Sequence, residues 1–185
     1  GIAIIKYFHN SGACQNESTY AVTVNDRPVI SLTGSNTICV GSTTSLSPTI
    51  GGTWTSSNSS IANINSLGIV TGLASGAVTF TFTNAATSCN SLPSNVITVN
   101  PKPTVSITGP STICVGANTT LSPTTGGTWT SSNTGIATVT NAGVVTGVGF
   151  GNVTFTFTNS TTGCTSNASS PITIGSSFSS YIDYN

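Results

Sequence analysis

Five cysteines and one histidine are the residues of this 185-residue chain best suited to covalent or acid–base chemistry. Cys39 and Cys89 lie 50 residues apart, and so do Cys114 and Cys164. The sequence has no Cys-x-x-Cys and no histidine near these four, which argues against zinc. The simple reading is two disulfides, Cys39–Cys89 and Cys114–Cys164. Closing a loop of about 50 residues contributes roughly 4 kcal/mol on the chain-entropy model. Disulfides also imply an oxidising compartment outside the cytosol. Cys14 is the odd cysteine. Its partner lies upstream of residue 1, or another chain supplies it, or Cys14 is a buried free thiol.

His9 is the only histidine, and Glu17 and Asp26 are its nearest carboxylates in sequence. A Ser-His-Asp triad would need such a set brought together. His9, however, aligns with Asn84 and Asn159 at strand ends, so a turn or strand-end role is expected. No catalytic, cofactor-binding or metal-ligating residues are expected, and the chain is read as a non-enzyme.

The elements that hold these residues come from a repeat. Residues 28–100 and 103–175 align at a constant offset of 75 with no gap, and 42 of 73 positions are identical. Neither stretch contains Asp, Glu, Lys or Arg. A fixed period marks stacked modules. A module without carboxylates also leaves almost nothing for side-chain calcium ligation. The same register places Cys14 on Cys89, Asn25 on Asn100 and Gly1 on Gly76. The expected division is therefore 1–27, the C-terminal part of an incomplete repeat; 28–102 and 103–175, two complete repeats; and 176–185, a tail or the first strand of a further domain. Gly1-Ile-Ala-Ile-Ile-Lys-Tyr-Phe8 lacks a basic leader and aligns with Gly76–Phe82, so it reads as a strand rather than a targeting segment.

Charged residues make up 3% of the chain and net charge is zero, so there is no electrostatic footprint for nucleic acid. No apolar run approaches the ~20 residues of a membrane span. Low net charge favours association unless a glycan coat or a fixed assembly prevents it. Six Asn-x-Ser/Thr sequons are glycosylation candidates: Asn16, Asn58, Asn118, Asn152, Asn159 and Asn167. Dense O-linked sugar fits the 64 serines and threonines equally well.

Within the second repeat, turn residues separate short strands at Thr104–Thr108, Thr119–Ser122, Gly127–Ser131, Ala137–Thr140, Val144–Thr146, Asn152–Thr158 and Ser170–Ile174. Val153-Thr-Phe-Thr-Phe157 alternates as a strand with one buried face does. Trp54, Trp129, Phe80, Phe82, Phe155 and Phe157 are the core candidates. Phe150, at a turn, is an exposure candidate. Gly68 and Gly143 sit between short strands where φ > 0 is needed. About seven short strands per repeat and no helical period predict an all-β fold of tandem immunoglobulin-like sandwiches.

Trp54-Thr-Ser-Ser-Asn58, Ile61-Ala62, Gly68-Ile-Val-Thr-Gly72 and Gly76-Ala-Val-Thr-Phe80 resemble the bacterial immunoglobulin-like domain, group 2, of intimin- and invasin-type surface proteins. Trp129-Thr-Ser-Ser-Asn133, Ile136-Ala137, Gly143-Val-Val-Thr-Gly147 and Gly151 repeat the pattern. The Ile-Cys-Val-Gly segments at 38–41 and 113–116 with a later cysteine are similar to the version in tandem arrays of Bacteroidota-type surface proteins. The resemblance implies an extracellular stalk or spacer of an adhesin on the bacterial cell surface, with no catalytic residues to carry over.

Three functions from different classes follow as expectations. The first is a structural repeat of a surface protein. The second is a filament subunit, in which strand complementation or end-to-end contacts between neighbouring copies or adjacent Ig-like domains complete the open fragment 1–25. The third is a carbohydrate- or receptor-binding module.

Overall fold

The computed structural model describes residues 1–11 and 14–175, the side chains of 10–16 excepted. The expectation for 176–185 lies outside the described residues. Residues 1–11 and 14–24 hold the antiparallel strands β1 (Ile2–Ser11) and β2 (Cys14–Thr23), here called the hairpin. The first repeat holds β3 (Ser31–Leu32), β4 (Thr37–Cys39), β5 (Thr43–Ser47), β6 (Gly52–Ser56), β7 (Ala62–Ile64), β8 (Ile69–Gly72), β9 (Gly76–Val78), β10 (Phe80–Asn84) and β11 (Ile97–Asn100). The second holds β12 (Ser106–Ile107), β13 (Thr112–Cys114), β14 (Asn118–Ser122), β15 (Gly127–Ser131), β16 (Ala137–Val139), β17 (Val144–Gly147), β18 (Gly151–Val153), β19 (Phe155–Asn159) and β20 (Ile172–Gly175).

Nine strands per repeat replace the seven expected, for two physical reasons. The long alternating strand divides at Thr79 and at Thr154, where it changes partners. β9 pairs with β11, while β10 pairs with β6; β18 and β19 divide in the same way between β20 and β15. At the break, Thr154 N–H donates to the Ser132 hydroxyl and Ser132 N–H donates to the Thr154 carbonyl (3.0 and 2.9 Å). The second reason is the three-residue strand β4 (β13 in the second repeat), which is too short to show a period. It runs parallel to β11 (β20).

In the first repeat a four-stranded sheet, β3-β5-β8-β7, faces the three-stranded sheet β4-β11-β9 and the pair β6–β10. Leu46, Ala62 and Val70 come from the first sheet. Ile38, Val78, Phe80, Ile97 and Val99 come from the other side and complete one apolar cluster. The second repeat builds its own cluster from the equivalent residues, including Leu121, Val145, Phe155 and Phe157. These are immunoglobulin-like sandwiches, filled by alternate residues of both sheets.

The aromatic candidates are core residues in both repeats. Phe80, Phe82, Phe155 and Phe157 are buried, as is Trp129; Trp54 is half-buried against its cluster. Each indole meets a phenylalanine edge to face, with ring centroids 5.1 Å apart (Trp54 on Phe82, Trp129 on Phe157). Each indole N–H donates to a proline carbonyl, Trp54 to Pro48 and Trp129 to Pro123 (3.1 and 2.9 Å). The polar edge of a buried Trp thus finds its acceptor. Glycine is required beside this pair, since a Cβ on Gly52 would come within 2.6 Å of the Phe82 ring. Gly68 and Gly143 do turn with positive φ (+76° and +78°).

The hairpin repeats the pairing of β9 with β11. Ala3 opposes Val22 as Val78 opposes Ile97, and Ile2 opposes Thr23 as Ala77 opposes Thr98. Beyond these, Gly1 and Val24 exchange both backbone hydrogen bonds at 2.7 Å, where Gly76 opposes Val99.

Phe157→Ala should lower the stability of the second repeat by about 3–5 kcal/mol in urea unfolding. Thr156→Ala, on the outer face of the same strand, should cost under about 1 kcal/mol. Similar losses for the two would contradict a single buried face.

Candidate functional site at the joint between the repeats

Cys39 closes β4. Ile38 is buried in the core, so alternation turns Cys39 away from it, and Cys39 is half-buried. The parallel register sets Cys39 opposite Asn100, the last residue of β11, and Val40 N–H donates to the Asn100 carbonyl (2.9 Å). Cys39 therefore stands where the chain leaves the first repeat through Asn100-Pro-Lys-Pro103. A tight turn follows, with Ser42 N–H on the Cys39 carbonyl (2.9 Å) and Gly41 at φ +85°.

Cys164 occupies the turn after β19. The Asn159 side-chain oxygen accepts the N–H groups of Thr161 and Thr162 (2.9 and 3.0 Å). Asn159 N–H donates to the Cys164 carbonyl (3.0 Å), and Gly163 adopts φ +69°. The cysteine is fully buried. Beyond it the chain follows β19 through two serines, Ser166 and Ser169. Ser166 accepts the Phe157 N–H on its hydroxyl and donates its own N–H to the Phe157 carbonyl (3.0 and 2.8 Å). Ser169 does the same with Phe155 (3.1 and 2.8 Å).

The disulfide joins Cys39 to Cys164, across the two repeats, with Cα atoms 5.6 Å apart. The expected pairs Cys39–Cys89 and Cys114–Cys164 are overturned, and the topology says why. Cys39 is level with the start of β9, because Asn100 follows Val99, which opposes Gly76. Cys89 follows the far end of β10, where Thr83 bridges Asn90. The nine residues between these levels span roughly 26 Å at the rise of a strand. A disulfide tolerates no more than about 7 Å between Cα atoms. The two cysteines of one repeat lie at opposite ends of its sandwich, and only a neighbouring repeat brings such ends together.

Lys102 reinforces the joint. Its ammonium donates to the Asn167 side-chain oxygen (3.2 Å), and the end of its side chain lies beside Gly41. Lys102 is one of the chain's six charged residues and lies in the short linker Asn100-Pro-Lys-Pro103; its partner Asn167 is what the structure adds.

The other candidates are not brought to this joint. Cys89 is half-buried and is a free thiol. Cys114 is exposed at the end of β13, level with Gly175. Cys14 opposes Ser11 in the hairpin, and its side chain lies outside the described residues. His9 is exposed inside β1 opposite Asn16, and Glu17 pairs instead with Lys6 at 2.6 Å. Among the described residues no three His, Cys, Asp or Glu side chains cluster as metal ligands would. Of the sequons, Asn58, Asn118, Asn152 and Asn167 are exposed. Asn159 is half-buried with its oxygen engaged in the Cys164 turn, and the Asn16 side chain is not described. Phe150 is exposed, as its turn position predicted.

A family model for the bacterial Ig-like domain (group 2) matches residues 19–90. That match spans 72 of the chain's 185 residues. Together with the fold, this supports a structural domain of a surface protein. No curated protein matches the chain. Among solved structures, the S-layer protein rSbsC(31-844) is similar at 16% identity and TM-score 0.35, over 95% of this chain and 35% of that one. The chain thus spans about a third of that structure's length. SbsC domains 4 and 5 match at 16% identity and TM-score 0.34, over 81% of this chain and 99% of theirs. Fibronectin(III)-like modules of Clostridium thermocellum CbhA match at 14% and 0.30, over 80% and 94%. At TM-scores this low nothing is transferred from them to this chain.

The bond from 39 to 164 encloses two segments, 39–100 and 103–164, of about 60 residues each. If either repeat unfolds alone, its segment is still closed into a loop through the folded neighbour. The chain-entropy model puts that constraint at about 4 kcal/mol for whichever repeat opens. Cys39→Ser and Cys164→Ser should therefore each lower both repeats' urea midpoints, and the double variant should be no worse than either single one. Cys89→Ser should leave the midpoints unchanged. A Cys89→Ser loss that matches Cys39→Ser would restore the intra-repeat pairing.

Proposed function

We propose that the chain is a non-enzymatic section of an extracellular bacterial surface protein, a stalk or spacer of adhesin type whose Ig-like repeats are locked end to end. The observation that carries this reading is the Cys39–Cys164 bond across the joint. Repeats joined only by a short peptide swing about it, whereas a second covalent tie at the same joint removes most of that freedom. A spacer needs to hold its shape under load and needs no reactive surface. Repeats without acid or base fit that role, and a disulfide fits the oxidising space at a cell surface. Surface sugar on the exposed asparagines or on the Ser/Thr-rich faces would supply the solubility that charge does not.

A second reading, a filament built by strand complementation, is favoured by the hairpin. Ile5, Tyr7 and Val24 are 57–66% exposed, yet their equivalents Phe80, Phe82 and Val99 are core residues. A strand pair that bares a core face is a natural acceptor for another chain's strands. Head-to-tail addition of that kind builds fibres rather than closed oligomers.

Small-angle scattering with and without a reductant tests the stalk. The oxidised chain should show one well-defined inter-repeat distance. Reduction, or Cys39→Ser, should broaden that distribution while circular dichroism stays unchanged. An identical distribution in both states would remove the locked joint from the function. Growth of scattering mass with concentration, abolished by Tyr7→Asp, would favour the filament.

A further inference from the structure

The first joint, between the hairpin and the first repeat, is built like the second, but among the described residues no strand stands where β4 stands at the second. Asn25, Arg27, Cys89, Asn90 and Ser91 line a cleft there. At the second joint the same positions are Asn100, Lys102, Cys164, Thr165 and Ser166, and Cys39 fills the place beside Cys164. The turn that presents Cys89 copies the one that presents Cys164. The Asn84 side-chain oxygen accepts the N–H groups of Ala86 and Thr87 (2.9 and 3.1 Å), and Asn84 N–H donates to the Cys89 carbonyl (3.0 Å). Ser88 takes φ +56°, where the second repeat uses Gly163. Holding a non-glycine residue there costs energy, and the Asn84 hydrogen bonds hold the turn against that cost.

The edge beside this cleft is open too. β11 pairs with β9 on one side and with β4 on the other. Its counterpart β2 pairs with β1, and no strand among the described residues lies on its other edge. The vacant place corresponds to that of β4, whose sequence is Thr-Ile-Cys.

We propose that Cys89 forms a disulfide with the cysteine of a Thr-Ile-Cys strand laid parallel on Thr23–Asn25. The occupant is a segment like residues 28–75, carrying its Thr-Ile-Cys strand in the place that β4 holds beside β11. It would cover Ile5, Tyr7 and Val24 while its cysteine reaches Cys89. Every joint would then carry the same bond, from the first cysteine of one repeat to the second cysteine of the next. This rests on the locked-joint reading above. The chemistry is thiol–disulfide exchange with a low-molecular-weight disulfide as oxidant. The incoming cysteine first holds one glutathione as a mixed disulfide. The Cys89 thiolate attacks that cysteine's sulfur, the new S–S bond forms, and glutathione leaves as a thiolate that takes up the proton Cys89 lost. In sum two protein thiols are oxidised and one glutathione disulfide is reduced to two thiols.

The test places a copy of residues 28–75 ahead of Gly1 of the full chain and refolds it in a glutathione buffer. Non-reducing peptide mapping should find the added cysteine bonded to Cys89, with Cys39–Cys164 retained. Bonding of the added cysteine to Cys14 would overturn the proposal, since that is the intra-repeat pair. So would alkylation of both the added cysteine and Cys89 while Cys39–Cys164 persists. Loss of Cys39–Cys164 as well would overturn the locked joint itself. A readout on the unextended chain guards against misfolding of the fusion. A peptide of residues 35–43, carried as its glutathione mixed disulfide, should label Cys89 at least about tenfold faster than a scrambled peptide; a tenfold ratio corresponds to about 1.4 kcal/mol of strand recognition. Equal rates would overturn the proposal.

Discussion

The antiparallel path of one long strand governs this molecule. β9 and β10 run the length of the sandwich, so whatever is level with Gly76 is a full domain length from whatever follows Asn84. Cys39 is tied to the first level by β11, and Cys89 to the second by the Asn84 turn. A tandem arrangement sets the exit end of one repeat against the turn end of the next. The disulfide then crosses the joint of necessity, and a single bond restrains two cores and the angle between them. Lys102, one of few charges in the chain, is spent at the same place on Asn167.

The near-absence of charge within the repeats is compatible with such a structure because hydroxyls satisfy the backbone instead. Thr44 and Thr119 are buried, and each donates to a loop carbonyl, Ser35 and Pro110 (2.9 and 2.7 Å). Ser56 and Ser131 donate to the carbonyls of Ala62 and Ala137 (2.7 Å each). Ser91, Ser94, Ser166 and Ser169 stand in for a missing strand along β10 and β19. No buried side-chain nitrogen or oxygen among the described residues lacks a partner. Since an unpaired buried polar atom costs about 1–3 kcal/mol, this matters more to a small domain than an added salt bridge would. The exposed Lys6–Glu17 pair, by contrast, contributes little.

Much of this fold was legible in the residues. Alternation in Val153–Phe157 gave the buried face, the Trp and Phe positions gave the core, and Gly68 and Gly143 gave positive-φ turns. The cysteine pairing was not legible from spacing. Fifty residues measures how long a loop is and says nothing of whether its ends meet. That depends on strand direction, and the element that decides it, Thr37–Cys39, is three residues long and pairs in parallel, leaving no periodic trace.

The family match runs from 19 to 90 and so crosses the boundary at 28 that the internal repeat suggests. The two frames differ in which strand is counted first, and packing distinguishes them. β11 supplies Ile97 and Val99 to the same cluster as Phe80 and Leu46, so the strand before each joint belongs to the core that precedes it. By the same pairing, residues 19–24 belong with β1 rather than with the first repeat. The folding unit therefore ends at the joint, while the disulfide continues past it. Cores are closed repeat by repeat, while the Cys39–Cys164 bond closes the covalent frame between repeats. An array made this way resists bending and partial unfolding through the same bond, because opening any one repeat leaves its chain held at both ends by folded neighbours.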